Sequence, residues 1–491
     1  MEQCEGETLT IFEHVRVNGA LTLVTLSVDG TIRWTESSER CLTVEEEVLG
    51  FSVEGSRIMI RAFVERESGG CCVGSRRIRV RKDFVFESSS EESLRLWCLK
   101  LQESIDSLDR PKRLFIFVNP FGGKRSASKI FHDEVKPLLE AADIQFTIQE
   151  TQYQLHAKEI AQTFDLSKYD GIVCVSGDGI LVEVVNGLLQ RDDWDSAIKI
   201  PLGIIPAGTG NGMVKSLMDS VDDPCSVSNA TLAVIRELTF LLHVYALSCV
   251  KILQPYACFV HLCFIYVQAI NVHWTLLLSC KGRPGLVADI DIESEKYRWM
   301  GSSRLDFYAL LRIIHLRKYT GRVSFVPAPG YEAYGELGHQ KVECTSKLDI
   351  SCQSQEDTVK VQQHGYRGPS IFLENLEWRT IDGPFVSFSD GSLDLIIIRD
   401  CPKSSLLMLM AKLNDGSHVK SPYVLYLKVK AFILEPGQRS EDPMKGGIID
   451  SDGEVLARGE GTYKCEQKDL MAYETIQMTV DQGLATLFSP R

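Results

Sequence analysis

The sequence predicts an α/β fold at its centre, an antiparallel β unit before it and a mainly antiparallel β unit after it. Three patterns carry that prediction. Residues 9–87 alternate apolar and polar, residues 113–218 alternate apolar runs with helix-like stretches, and residues 286–480 return to strand-like runs. Period-two alternation marks half-buried strands, whereas apolar runs separated by helical stretches mark the βαβ units of a parallel sheet. The boundaries so predicted are 1–110, 111–236, an atypical apolar segment 237–284, and 285–491 with a polar, weakly periodic insertion at about 338–369 that reads as mobile.

In the first unit, Leu21-Thr22-Leu23-Val24-Thr25-Leu26 and Arg57-Ile58-Met59-Ile60-Arg61 alternate, and Asp29-Gly30 reads as a hairpin turn. Ser89-Ser90-Glu91-Glu92 is a capping-box signal, and Leu94, Trp97, Leu101 and Ile105 follow on one helical face. A β-meander closed by one helix with a buried tryptophan resembles a pleckstrin-homology fold. Arg77, Arg79 and Arg81 are expected on one face of their strand, with Ile78 and Val80 on the other. Such a face either meets anionic lipid headgroups or is an ordinary solvated strand face.

The α/β unit has strands at 113–118, 144–151, 171–175 and 200–205, each followed by a helix start. Three of these strands run into glycine loops: Asn119-Pro120-Phe121-Gly122-Gly123-Lys124, Ser176-Gly177-Asp178-Gly179, and Gly208-Thr209-Gly210-Asn211. Glycine permits positive φ and close approach to a bulky anion, and a helix start offers it N–H groups. Each loop alone reads equally well as a plain turn. In an open parallel sheet, however, such loops lie side by side at the carboxyl edge, where together they build one nucleotide site. None has the Walker spacing. Asp178 is a poor phosphate ligand, so its place at the mouth of such a turn suggests proton transfer from a hydroxyl.

Composition narrows the class. The 491 residues are 44% hydrophobic and carry a net charge of −13, which supports full-sized cores and argues against broad nucleic-acid binding. The N-terminus has neither the basic nor the apolar region of a secretory signal. Fifteen cysteines without a metal-like array imply reduced thiols, as in the cytosol.

NPxGGK, SGDGxxxEVVNGL and PAGTGN, in this order, resemble the catalytic domain shared by diacylglycerol and sphingosine kinases. The segment 288–301, ADIDIESEKYRWMG, is similar to the one that distinguishes the sphingosine and ceramide branch, and Asp450-Ser451-Asp452-Gly453-Glu454 is similar to the family's closing motif. The overall pattern is similar to that of plant sphingosine kinases. The resemblance implies an α/β nucleotide-binding domain and a mainly antiparallel β lipid-binding domain behind the pleckstrin-like one. It also implies a cytoplasmic enzyme, peripherally associated with endomembranes, that uses ATP and Mg²⁺ to phosphorylate a sphingoid base. Asp178 would be the general base. Asn119, Pro120, Phe121, Gly122, Gly123, Lys124, Thr151, Gln152, Tyr153, Gln154, Leu155, Gly177, Gly179, Glu183, Gly208, Thr209, Gly210, Arg298, Arg304, Asp452, Gly453 and Glu454 would surround the nucleotide, with glycine N–H groups turned to its phosphates. Ser176, Asp291 and Glu295 would meet the substrate, and no carboxylate declares itself as a metal ligand.

Two departures qualify the resemblance. Between Lys251 and Lys281 there is no charged residue. That run is long enough to span a bilayer, which takes roughly 20 apolar residues, but Gln254, Pro255, Gln268 and Asn271 count against a span. The favoured reading is translated intervening sequence in place of family strands. The second departure is at 385–391, where FSDG follows directly without the family's preceding strand and loop. A ceramide or diacylglycerol kinase, and a non-catalytic membrane-binding isoform with a disrupted lipid pocket, are the alternatives.

Overall fold

The computed structural model describes residues 11–17, 19–35, 39–65, 79–122, 125–208, 211–236, 239–249, 283–284, 286–300, 303–328, 331, 343–344, 377–383, 385–391, 394–412, 417–451, 454–462 and 473–490. The N-terminal strands β1 (Ile11–Val17), β2 (Ala20–Leu26), β3 (Thr31–Thr35), β4 (Glu39–Thr43), β5 (Val48–Glu54), β6 (Arg57–Glu65) and β7 (Arg79–Glu87) form an antiparallel sheet in the order β4-β3-β2-β1-β7-β6-β5. Helix α1 (Glu91–Asp106) starts where the capping signal predicts: the Ser90 side chain accepts the Ser93 N–H at 3.2 Å. Its buried Leu94, Trp97 and Leu101 close a core in which Trp34 meets Phe84 and Phe86 edge-on.

The arginines of this strand are not simply a solvated row. Arg77 and Ile78 lie outside the described residues, but Arg79 pairs with Asp223 at 3.0 Å and is nearly covered, while Arg81 reaches Asp83 and the Pro137 carbonyl. Val80, expected on the face opposite the arginines, is 37% exposed. The reason is tertiary: the β5–β7 half of the sheet docks on the α/β unit. Arg61 pairs with Asp143 at 2.6 Å, Arg110 donates to the Val44, Val48 and Leu49 carbonyls, and Leu49 and Phe63 join the α/β core.

That core is built on β8 (Arg113–Val118), β9 (Gln145–Glu150), β10 (Gly171–Ser176) and β11 (Leu202–Pro206), parallel in the order β9-β8-β10-β11. β10 is buried along its whole length, and β8 and β11 nearly so, as their unbroken apolar runs require of strands covered on both faces. The covering helices are α2 (Ala127–Ile130), which continues through a π turn into α3 (Lys136–Ala141), then α4 (His156–Thr163), α5 (Asp178–Leu189), the short α6 (Trp194–Ala197), α7 (Gly212–Asp219) and α8 (Val227–Ile235). Gly187 lets α5 lie against α4, since a Cβ there would sit 2.4 Å from the Lys158 carbonyl oxygen.

The C-terminal part comprises β12 (Thr239–Cys249), β13 (Arg283–Pro284), α9 (Leu286–Glu293), α10 (Ser303–Ile314), β14 (Tyr319–Pro327), β15 (Glu343–Cys344), β16 (Arg379–Asp382), β17 (Phe385–Gly391), β18 (Asp394–Arg399), α11 (Lys403–Ala411), β19 (Val424–Arg439), β20 (Ile448–Ser451), β21 (Glu454–Arg458) and β22 (Ile476–Phe488). β22 joins the halves: it runs antiparallel to β19 and β12 and parallel to β11 at Leu202↔Leu487. Of the apolar segment 237–284, residues 239–249 are therefore a sheet strand, and 250–282 lie outside the described residues. So does the insertion at 338–369, apart from β15. The direct join at 385–391 forms β17, paired with β18.

Candidate active site

The carboxyl ends of β9, β8, β10 and β11 are stitched into one row by main-chain bonds. Thr151 N donates to Val118 O at 2.9 Å, Asn119 N to Val175 O at 3.2 Å, and Ala207 N to Ser176 O at 3.0 Å. The strand-end loops therefore meet along one edge. Asp178 opens α5 there, and its carboxylate accepts the N–H groups of Gly212 at 2.8 Å and Met213 at 3.2 Å, which belong to the first turn of α7. Main-chain donors to an anion make stiff, charge-assisted bonds that fix the carboxylate between two loops. A carboxylate has about four acceptor positions, so holding two amides is compatible with taking a further proton. The glycines contribute clearance: Gly177 has φ −83°, not the expected positive φ, Gly179 lies inside the helix, and a Cβ on Gly179 would have nothing within 4 Å.

A second acidic centre lies on α9. Asp289 is 1% exposed; it accepts the Tyr319 hydroxyl at 2.8 Å, pairs with Arg317 at 3.1 Å, and has the Arg312 Nε at 3.8 Å. Arg317 also holds Glu293 at 2.9 Å, and Glu293 accepts the Tyr308 hydroxyl. Burial pushes the Asp289 carboxyl above the usual carboxylate range, with Arg317 offsetting this in part. Burial pulls Glu293 the same way, but its bonds from Tyr308 and Arg317 outweigh that and hold it low. The cluster ties α9 to α10 and β14.

Residues 113–240 match the model of the diacylglycerol kinase catalytic domain, and residues 382–472 match the YegS C-terminal NAD kinase beta sandwich-like domain. The chain is 53% identical to sphingosine kinase 1 of Arabidopsis thaliana over 98% of its own length and 96% of the relative's. It is 52% identical to sphingosine kinase 2 of the same plant over 97% and 96%. It is 30% identical to human sphingosine kinase 1 over 71% of this chain and 87% of the human one. The chain belongs to the sphingosine kinase family.

The residues that the resemblance places at the site are distributed unevenly in this chain. Asn119 makes a side-chain turn, accepting the Phe121 N–H at 3.0 Å, and a Cβ on Gly122 would press on its amide at 3.0 Å. Pro120, Phe121 and Gly122 thus lie on the edge; Gly123, Lys124, Thr209, Gly210, Asp452 and Gly453 are outside the described residues. Thr151 is buried, Tyr153 stacks on His156 with centroids 4.5 Å apart, Gln152 N donates to that imidazole at 3.1 Å, and Leu155 takes φ 67° just before α4. Gln154 lies in the same loop.

Five of the expected residues have partners within the chain. The Gly208 N–H is given to Asn211 Oδ1 at 3.0 Å rather than turned outward, so Gly208 shapes its loop through the Asn211 side chain. Ser176 is 1% exposed and its hydroxyl donates to the Gly177 carbonyl at 2.7 Å. Glu183 Oε2 accepts the Ala157 N–H at 3.1 Å, fastening α4 and the 151–155 loop; five residues on from Asp178 is about 140° around the helix, hence another face. Arg304 and Glu295, expected on phosphate and substrate, pair with each other. Arg298 follows in a 3-10 turn, Asp291 lies on α9, and Glu454 opens β21, their side chains outside the described residues. Asp289, Arg312 and Arg317 were missed. Their only signal is a pair of tyrosines and a pair of arginines within 308–319, a short way after a run of acids.

Proposed function

We propose that this chain transfers the γ-phosphoryl group of ATP to the primary hydroxyl of a sphingoid long-chain base, with Asp178 accepting the hydroxyl proton. The observation that carries the reading is the Asp178 carboxylate, held by the Gly212 and Met213 amides where the strand-end loops of a sphingosine-kinase-family chain meet. Positioning is most of what phosphoryl transfer asks of a protein, and proton acceptance adds on the order of 10²–10⁴-fold. The helix start and the clearance at Gly179 suit triphosphate oxygens. We assign ATP to 111–236, the lipid base to 285–491 with Asp291 as its acidic grip, and the pleckstrin-like unit to 1–110.

Mg²⁺ would accompany ATP. Among the described residues no group of three or more His, Cys, Asp or Glu forms a metal cage, so this chain's own residues are given no ligand role. Peripheral membrane contact, on endomembranes in our reading, is supported by Trp299, which is 81% exposed, and by Phe307, Leu310 and Ile314, exposed at helical spacing on α10. Among the described residues no helix is long and apolar enough to cross a membrane.

The test is turnover of the purified chain with ATP, Mg²⁺ and sphingosine, diacylglycerol in parallel, and Asp178→Asn as control. Aspartate-dependent phosphate on sphingosine is the expected result. Preferential phosphorylation of diacylglycerol, or equal activity of the Asp178→Asn chain, sinks the reading.

A further inference from the structure

The two halves of the N-terminal sheet have different fates. The β5–β7 half is spent on the α/β unit, through Arg61, Arg79 and the apolar pair Leu49 and Phe63. The β1–β3 half turns Val15, Val17, Val24, Leu26, Ile32 and Trp34 into its own core. A half-buried antiparallel strand should then show polar residues on its other face. Three positions break that rule: Phe12 is 72%, Leu21 68% and Leu23 45% exposed. The register gathers them, with His14 opposite Leu23, Arg16 opposite Leu21, and Thr25 between Phe12 and Arg33. Apolar side chains thus stand beside polar ones, among them Arg16 and Arg33, across neighbouring strands.

Charge decides the occupant. The outward residues of β1–β3 are Phe12, His14, Arg16, Leu21, Leu23, Thr25, Thr31, Arg33 and Thr35, without one carboxylate, in a chain of net charge −13. The nearest acid across the β1–β7 boundary, Glu87 opposite Arg16, is shared with Arg57 at 3.5 Å. Asp29, in the β2–β3 turn, caps the Thr31 N–H. We infer that the outer face of β1–β3 docks on an anionic lipid bilayer, with Phe12, Leu21 and Leu23 entering the interface and Arg16 and Arg33 meeting the headgroup charge. Apolar insertion together with basic attraction is what reversible binding to anionic membranes requires. This surface is separate from the arginines of β7, which the fold has committed elsewhere, and from the exposed residues of α10.

The test is flotation of the full chain with vesicles of phosphatidylcholine alone and with about one third phosphatidylserine. The triple variant Phe12→Ser, Leu21→Ser, Leu23→Ser should cut partitioning onto the mixed vesicles about tenfold or more. The double variant Arg16→Gln, Arg33→Gln should abolish most of the gain that phosphatidylserine gives the parent chain. Turnover of detergent-dispersed sphingosine within about twofold of the parent shows that both variants are folded, because none of these residues touches the active site. Equal binding by parent and both variants overturns the inference, as does a parent chain indifferent to phosphatidylserine. A parent dimer that the triple variant dissolves, with vesicle binding unchanged, assigns the face to a second copy instead. Vesicle binding lost in the variants while the parent turns over no sphingosine leaves the docking face standing and rejects the kinase reading.

Discussion

Asp178 and Asp289 are both carboxylates on helices, α5 and α9, and they are held by opposite means. Asp178 takes main-chain N–H groups from Gly212 and Met213, donors that every non-proline residue carries. Asp289 takes side-chain donors, Tyr319, Arg317 and Arg312, delivered from α10 and β14. The first arrangement depends on where backbone passes and tolerates sequence change around it. The second depends on specific side chains arriving from elsewhere and is costly to disturb once buried. The molecule thus fixes the start of α5 with backbone and α9 with a charge network.

Four experiments would break or sharpen that contrast. The largest effect is expected from Asp178→Asn, which should lower kcat by on the order of 10²–10⁴-fold with ATP-dependent thermal stabilisation retained; loss of the stabilisation as well would show that the carboxylate is needed for the loops and not only for chemistry. Arg317→Met leaves Asp289 and Glu293 without their shared cation and should destabilise the C-terminal part by about 3–5 kcal/mol. Hydrogen exchange over α9 should rise sharply in that variant, while β10 and α5 stay protected; equal loosening of both regions would erase the distinction drawn above. Tyr319→Phe removes one donor to Asp289 and should cost about 1–2 kcal/mol, read from the denaturant midpoint. The smallest effect belongs to the inter-unit pair: a double-mutant cycle of Arg79→Ala and Asp223→Ala should return a coupling of about 1 kcal/mol. A coupling near zero would mean that apolar packing by Leu49 and Phe63 suffices to dock the N-terminal sheet.

The same contrast explains what was legible. The row of strand-end loops could be read because each is a local event: an apolar run, a glycine turn, a helix start. Ser90 could be read as a cap because its partner, Ser93, is three residues away. The bond of Glu183 to Ala157 could not be read, because five helical residues turn it toward α4 and its partner comes from a different element. Nor could the pairing of Arg304 with Glu295 be read, since the two lie nine residues apart across a 3-10 turn that periodicity does not announce.

By itself the sequence determined the order of sheets and helices, the meeting of glycine loops at one edge with Asp178 among them, and membership of the sphingosine kinase family. The first two follow from side-chain period and turn chemistry, which act over a handful of residues, and the third from the resemblance of the motifs. The tertiary structure alone decided that Arg79 serves Asp223 rather than a membrane, that β22 welds the parallel and antiparallel halves, and that Asp289 is buried among arginines and tyrosines. A charge keeps whichever partner the returning chain brings within reach, and that distance is set by packing and not by spacing along the sequence.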